Sequence, residues 1–126
     1  MNSSIRILPI LLIGSLLIMV TGCKKDSQDY ASQITGTYHG TTTIVGTGTV
    51  SCTSTLSKNS NTSVNLTITI GSTNIPLNGI SVSKSGSAYG LSYTDSSGSF
   101  NGTVNGNNLT WTMTAGGTTE TFSGTK

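Results

Sequence analysis

Few side chains in this sequence of 126 residues can take part in covalent or acid–base chemistry. After the first 33 residues they include the single histidine His39, the thiol of Cys52 and the carboxylates of Asp95 and Glu120. A Cys–His nucleophile pair needs both side chains within hydrogen-bond reach, and a glycosidase carboxylate pair needs them roughly 5–10 Å apart. No spacing in the sequence brings either pair together, and one histidine with one cysteine is too few for a usual zinc site. The sequence therefore predicts no catalytic, metal or cofactor site.

Cys23 is the residue whose surroundings point to a definite reaction. It ends the segment Val20-Thr21-Gly22-Cys23, directly after an apolar run that begins at Ile7 and follows the basic residue Arg6. Small residues let the backbone lie extended in a peptidase groove, and a thiol is the nucleophile that can form a thioether to a lipid. The run is shorter than the about 20 apolar residues of a membrane span. It therefore fits a signal peptide.

This segment resembles the lipobox of bacterial lipoproteins. The resemblance implies cleavage between Gly22 and Cys23, diacylglyceryl attachment to the Cys23 thiol and N-acylation of the new terminus. Two or three acyl chains anchor a protein stably, because each buried CH₂ contributes about 0.8 kcal/mol. We therefore predict a signal peptide over residues 1–22, a lipidated tether over 23–33 and attachment to a bacterial outer membrane. An uncleaved membrane helix with an incidental cysteine is the alternative.

The part of the chain after the tether is polar but nearly uncharged. The whole sequence is 33% hydrophobic and 8% charged, and its net charge of +2 includes Arg6. Abundant Thr, Ile and Val with few charges favour β-sheet over disorder. The lack of a basic cluster disfavours nucleic acid as a partner. Once Cys23 carries lipid, Cys52 has no cysteine to pair with, so we expect it to be a small buried hydrophobe.

Short β runs alternate with turn signals along residues 34–126, which predicts one all-β domain. The clearest strands are residues 64–70 and 109–115, where apolar side chains alternate with polar ones and one face must be buried. Pro76 cannot donate to a ladder and marks an edge or connector, and Asn78-Gly79 is a hairpin signal. About eight strands with tight turns predict a small antiparallel up-and-down barrel, with an open β-sandwich as the alternative.

This pattern resembles the calycin-like, or lipocalin-like, barrels of bacterial lipoproteins. The stretches that carry the resemblance are Ile34-Thr35-Gly36-Thr37-Tyr38-His39-Gly40, Ile75-Pro76-Leu77-Asn78-Gly79-Ile80, Asn107-Asn108-Leu109-Thr110-Trp111 and Phe122-Ser123-Gly124-Thr125-Lys126. Calycins typically pack a Trp near the start of the first strand against an Arg late in the barrel. Tyr38 occupies the aromatic position here, and Lys126 is the candidate for the cation, through a cation–π contact.

The aromatic residues and their neighbours are the candidates for ligand contact. The predicted ligand-binding residues, which also lie on core-forming faces, are Tyr38, Tyr89, Leu91, Tyr93, Trp111 and Met113. An eight-stranded barrel either fills its interior with side chains or holds one small ligand. Our first functional hypothesis is therefore a module that binds a small or apolar ligand. The second is a protein-interaction or inhibitor subunit at the outer-membrane surface, and the third is an enzyme.

Overall fold

The computed structural model describes residues 28–126; the predicted signal peptide and Cys23 lie outside this range. In chain order its elements are α1 (Ala31–Ile34), β1 (Gly36–Ile44), β2 (Gly48–Ser60), β3 (Ser63–Ile70), β4 (Thr73–Ser85), β5 (Ala88–Asp95), β6 (Gly98–Asn105), β7 (Asn108–Ala115) and β8 (Thr118–Thr125). Each strand pairs antiparallel with the next, and β8 pairs with β1, so the sheet closes into an eight-stranded up-and-down barrel. The predicted barrel is confirmed, and the open sandwich was the wrong alternative.

Alternating burial along β3 and β7 explains why this polar sequence forms a closed sheet. In β3 Val64, Leu66 and Ile68 are buried. In β7 Leu109 and Trp111 are buried, whereas the threonines between and after them are exposed. Successive side chains of a strand point to opposite faces, so the apolar residues fill the barrel and the threonines form its outer wall. Threonine suits that wall because its β-branched side chain favours extended backbone.

The middle of β4 differs from the sequence prediction. A hairpin was expected at Asn78-Gly79, but β4 continues through these two residues. They oppose the single residue Asn65 of β3 in a β-bulge, where the register of the ladder shifts. Gly79 takes φ +76°, and its N–H donates to Oδ1 of Asn65 at 3.0 Å. Both a hairpin turn and a bulge use a residue with positive φ, so the same dipeptide signal fits either.

The residues before β1 cover one end of the barrel, which we call the closed end. Ala31 and Ile34 of α1 are fully buried there. The Ala31 N–H donates to the carbonyl oxygen of Asn61 at 3.0 Å, and the Tyr38 hydroxyl donates to that of Ile34 at 2.8 Å. The tether was predicted over residues 23–33, and the last residues of that range therefore belong to the packed barrel. A helix of four residues is too short to show a helical period in the sequence.

Lys126 completes the closed end. Its ammonium nitrogen lies 5.3 Å from the centroid of the Tyr38 ring and donates to the carbonyl oxygen of Thr35 at 2.9 Å. The cation–π contact predicted from the sequence is therefore confirmed. It links the last residue of the described chain to the first strand and to the turn that leads out of α1.

The opposite end, which we call the open end, carries the turns at residues 45–47, 71–72, 96–97 and 116–117. Several apolar residues on the interior face of their strands are only partly covered here: Ile44, Val50, Ile70, Ile75, Leu77, Tyr93 and Met113. Val45, in the first of these turns, is 69% exposed. Within residues 28–126 no helix lies across this end as α1 lies across the other.

Candidate binding site at the open end

The barrel wall opens between β4 and β5. These strands pair along residues 81–85 of β4, so the earlier part of β4 has no partner on that side within the described chain. Pro76 lies in this part and faces Thr67 of β3 in the ladder. A residue without an N–H is tolerated where no second strand needs its donor. The edge position predicted for Pro76 is therefore confirmed, and it marks one side of the gap.

A small cavity lies at the open end beside this gap. Its volume is about 40 Å³, and its residues include Leu77, Tyr93, Phe100, Met113 and Ala115. Pockets for drug-sized ligands measure roughly 300–1,000 Å³. The cavity therefore accepts an apolar group of a few heavy atoms rather than a whole ligand.

Asp95 places a fixed negative charge at the rim of this cavity. Its Oδ1 accepts from Ser97 Oγ at 2.6 Å, Ser97 N at 2.8 Å and Gly98 N at 3.1 Å. Its Oδ2 accepts from the Tyr93 hydroxyl at 2.9 Å. The side-chain bond from Ser97, followed by the other donors, lowers the pKa of Asp95 from 3.8 to about 2. The carboxylate thus stays ionised at neutral pH, holds the Tyr93 ring against the cavity and raises the pKa of the Tyr93 phenol.

A second polar group lies inside the barrel near the open end. The Thr42 hydroxyl, which is fully buried, lies 2.9 Å from both Glu120 Oε1 and the carbonyl oxygen of Thr121. Cys52 lies buried in the same half. Burial and, secondarily, the Glu120 carboxylate raise the pKa of the Cys52 thiol. The thiol therefore remains protonated at neutral pH, which fits the expected small buried hydrophobe and disfavours a nucleophile.

The candidate nucleophile pair lies on opposite faces of the wall. His39 pairs with Thr53, and Gly40 pairs with Cys52, so alternation directs His39 outward and Cys52 inward. His39 is exposed on the outer wall. Among residues 28–126, no three His, Cys, Asp or Glu side chains gather as ligands for a metal ion.

Packed aromatic rings fill the middle of the barrel between the two ends. The Trp111 ring lies between Phe100, at 5.6 Å between centroids, and Phe122, at 5.5 Å and nearly parallel. The indole N–H donates to Ser54 Oγ at 3.0 Å, and both side chains are buried. Of the two states open to an eight-stranded barrel, the filled interior is the one adopted.

The six predicted ligand-binding residues therefore divide by position. Three of them, Tyr38, Leu91 and Trp111, are buried in the filled interior. Tyr93 and Met113 line the cavity, and Tyr89 lies partly exposed toward the closed end. Leu77, Phe100 and Ala115, which also line the cavity, were not among the predicted residues. The edge signal of Pro76, directly before Leu77, is the sequence feature that could have located the gap.

Within the described chain no helix has the length and apolarity needed to cross a membrane. No protein-family model matches the sequence, and no curated protein sequence matches it.

Among solved structures, the chain is similar to a "putative outer membrane protein" from Bacteroides fragilis NCTC 9343, crystallised and solved at 2.40 Å resolution. The TM-score is 0.62 with 18% identity, covering 80% of this chain and 54% of the other, so this chain spans about half the length of that protein. At this identity the likeness shows a shared fold. The calycin relationship stays a prediction from the sequence.

Proposed function

We propose that this protein is a lipid-anchored lipoprotein of a bacterial outer membrane that binds the apolar part of a small ligand at its open end. The lipobox-like segment ending at Cys23 supports the anchor. The fold shared with the Bacteroides fragilis protein supports the outer-membrane location. The uncovered apolar residues of the open end support the binding function.

The path of the chain supports this arrangement. Four residues lie between Cys23 and Gln28, so the five residue-to-residue steps, fully extended, span at most about 18 Å. The chain then enters α1, which lies at the closed end. A lipid on Cys23 therefore keeps the closed end near the membrane and leaves the open end directed away from it, where a ligand can approach.

The single observation that carries the binding function is the apolar surface around the cavity. Leu77, Tyr93 and Met113 are only partly buried although they lie on core-forming faces. Burial of apolar surface is favourable by roughly 25 cal/mol per Å². A ligand whose apolar end covers these side chains is therefore stabilised in the bound state. The small cavity takes that end, while the rest of the ligand lies on the rim beside Asp95.

Native mass spectrometry of the protein purified from its own cells in mild detergent tests both parts of this proposal. We expect an acylated Cys23 and a retained small apolar molecule. Met113→Lys should lose that molecule, whereas Thr112→Lys, its neighbour on the outer wall of β7, should keep it. An unmodified Cys23 would contradict the proposed lipid anchor. A barrel that carries no small molecule would contradict the proposed ligand binding.

The second candidate is a protein-interaction subunit. The observation that favours it is the filled interior together with Val45 and Val50, which are 69% and 37% exposed at the open end. A partner's apolar surface covers such residues as well as a ligand does. Crosslinking in cells to one defined protein, lost in Val45→Asp, together with a mass spectrum free of small ligands would establish this candidate instead.

A further inference from the structure

The charged side chains of the described residues are segregated between the two ends of the barrel. The lysines within residues 28–126 all lie at the closed end; they are Lys58, Lys84 and Lys126. Asp29 lies there too, paired with Lys58 at 2.9 Å. Asp95 and Glu120 lie at the open end. Counting only the side chains of residues 28–126, the closed end carries a net charge of +2 and the open end a net charge of −2.

The two groups are far enough apart to act separately. A strand of eight residues rises about 26 Å along its own axis, and a tilt of about 40° reduces this to roughly 20 Å along the barrel. The Debye length at physiological salt is about 8 Å. A charged surface that approaches the closed end therefore meets its lysines, whereas the carboxylates of the open end are screened.

Each closed-end lysine is held by its surroundings while its head group stays accessible. Lys84 extends over the Tyr89 ring at 5.5 Å from the centroid, and Lys126 extends over Tyr38. Tyr89 in turn packs against Tyr30 at 6.0 Å, and both rings are partly exposed. Tyrosines beside lysines are typical of surfaces at a membrane–water interface, because the rings tolerate the headgroup region and the cations contact its phosphates.

We propose that the closed end is a docking surface for an anionic lipid bilayer, on which the lysines contact headgroup phosphates. This inference rests on the anchor of the proposed function, which keeps the closed end within about 18 Å of the bilayer. The lipid anchor keeps the protein at the membrane, and the lysines orient the barrel relative to the bilayer. The open end then faces away from the lipid by electrostatics as well as by the direction of the chain.

The docking surface can be tested without the lipid. Residues 23–126 with Cys23→Ser retain every described helix and strand, and cosedimentation measures their binding to vesicles. We expect binding to phosphatidylcholine vesicles that contain 30% phosphatidylglycerol, and much weaker binding to phosphatidylcholine alone. Binding should fall between 20 mM and 300 mM salt, and Lys84→Gln should lower the partition coefficient about fivefold.

A matched pair of turn substitutions separates orientation from net charge. Ser87→Lys adds a cation at the closed end and Ser72→Lys adds one at the open end, each at an exposed turn residue. We expect Ser87→Lys to raise the partition coefficient about fivefold and Ser72→Lys to leave it nearly unchanged. Equal effects of the two, or no preference for anionic vesicles at low salt, would overturn the docking surface. Acylation of Cys23, measured by mass spectrometry, tests the anchor independently of the docking surface.

Discussion

The two ends of this barrel are made from the same strands but differ in what covers them. Leu109 and Met113 show the difference within β7, since both lie on the interior face, four residues apart. Leu109, at the closed end, is fully buried, whereas Met113, at the open end, is partly exposed. The strand itself is equally regular at both positions. The difference arises at the ends: α1 and Lys126 cover the closed end, and no helix of the described chain covers the open one.

This contrast separates stability from binding. Ile34, Tyr38 and Leu109 are fully buried at the closed end, so truncating them is costly to the free energy of unfolding. The open end keeps apolar side chains in contact with water, and regions with fewer buried contacts open more readily. A ligand or partner that covers them gains free energy without displacing any core residue.

The largest expected effect comes from shortening one side chain at each end of β7. Leu109→Ala should lower the free energy of unfolding by about 2–5 kcal/mol, because it leaves a cavity in a fully packed region. Met113→Ala should cost about 1 kcal/mol or less, since part of that side chain is already in water. Urea unfolding followed by circular dichroism measures both. Equal losses would show that the two ends are packed alike.

Ser54→Ala probes the layer between the ends. It removes the buried acceptor of the Trp111 indole N–H, and an unpaired buried donor costs about 1–3 kcal/mol. The midpoint of urea unfolding should fall accordingly, and the Trp111 fluorescence should shift as its surroundings change. Thr55→Ala, the neighbouring change on the outer wall, is the control and should have little effect. If both variants unfold alike, the Trp111–Ser54 hydrogen bond contributes nothing to stability.

Lys126→Met tests how the closed end is held from the side of β8. The variant keeps an apolar side chain over Tyr38 but removes the charge, so it should lose the cation–π contact and the bond to Thr35, about 0.5–1 kcal/mol. Thermal unfolding at low salt measures the loss. Lys84→Met removes an equal charge and a comparable cation–π contact over Tyr89, so the difference between the two variants reports the bond of Lys126 to Thr35. A Lys126→Met protein as stable as the parent would show that the closed end does not need this cation.

The smallest effect concerns acid stability at the open end. The pKa of Asp95 is about 2 in the folded protein, below its ordinary value, so folding favours the ionised form. The stabilisation is present above pH 4 and is lost as the pH falls through about 2. Asp95→Asn should therefore have a flatter stability profile between pH 4 and pH 2, measured by urea unfolding at each pH. Parallel profiles for the two proteins would contradict this role.

The sequence predicts the barrel well because strand alternation is a local property. Residues 64–70 and 109–115 alternate strictly and are strands. Pro76 indicates an edge position because proline itself has no backbone N–H to donate to a neighbouring strand. The contact of Lys126 with Tyr38 followed from a family pattern rather than from local sequence. Asn78-Gly79 was misread because its backbone preference fits two structures.

The contrast between the ends was beyond prediction because it depends on contacts distant in sequence. Tyr93 and Trp111 have the same residue class and the same strand periodicity, yet Tyr93 borders the cavity and Trp111 lies in the core. The burial of each side chain depends on which strand lies opposite it in the barrel, and on whether neighbouring strands are paired at its position along the barrel axis. The gap between β4 and β5 lies on the other side of β4 from the β3 ladder that holds the bulge, and Pro76 marks only its β4 side in the sequence.

The most direct test of the contrast between the ends is methyl NMR with xenon as an apolar probe. A xenon atom is small and enters apolar cavities without needing a polar contact. We predict xenon-dependent shifts at the methyl groups of Leu77 and Met113, and unchanged signals for Ile34 and Leu109 in the same spectra. Shifts at Ile34 or Leu109, or no shift at any methyl group, would contradict an apolar binding site at the open end of a barrel whose closed end is fully packed.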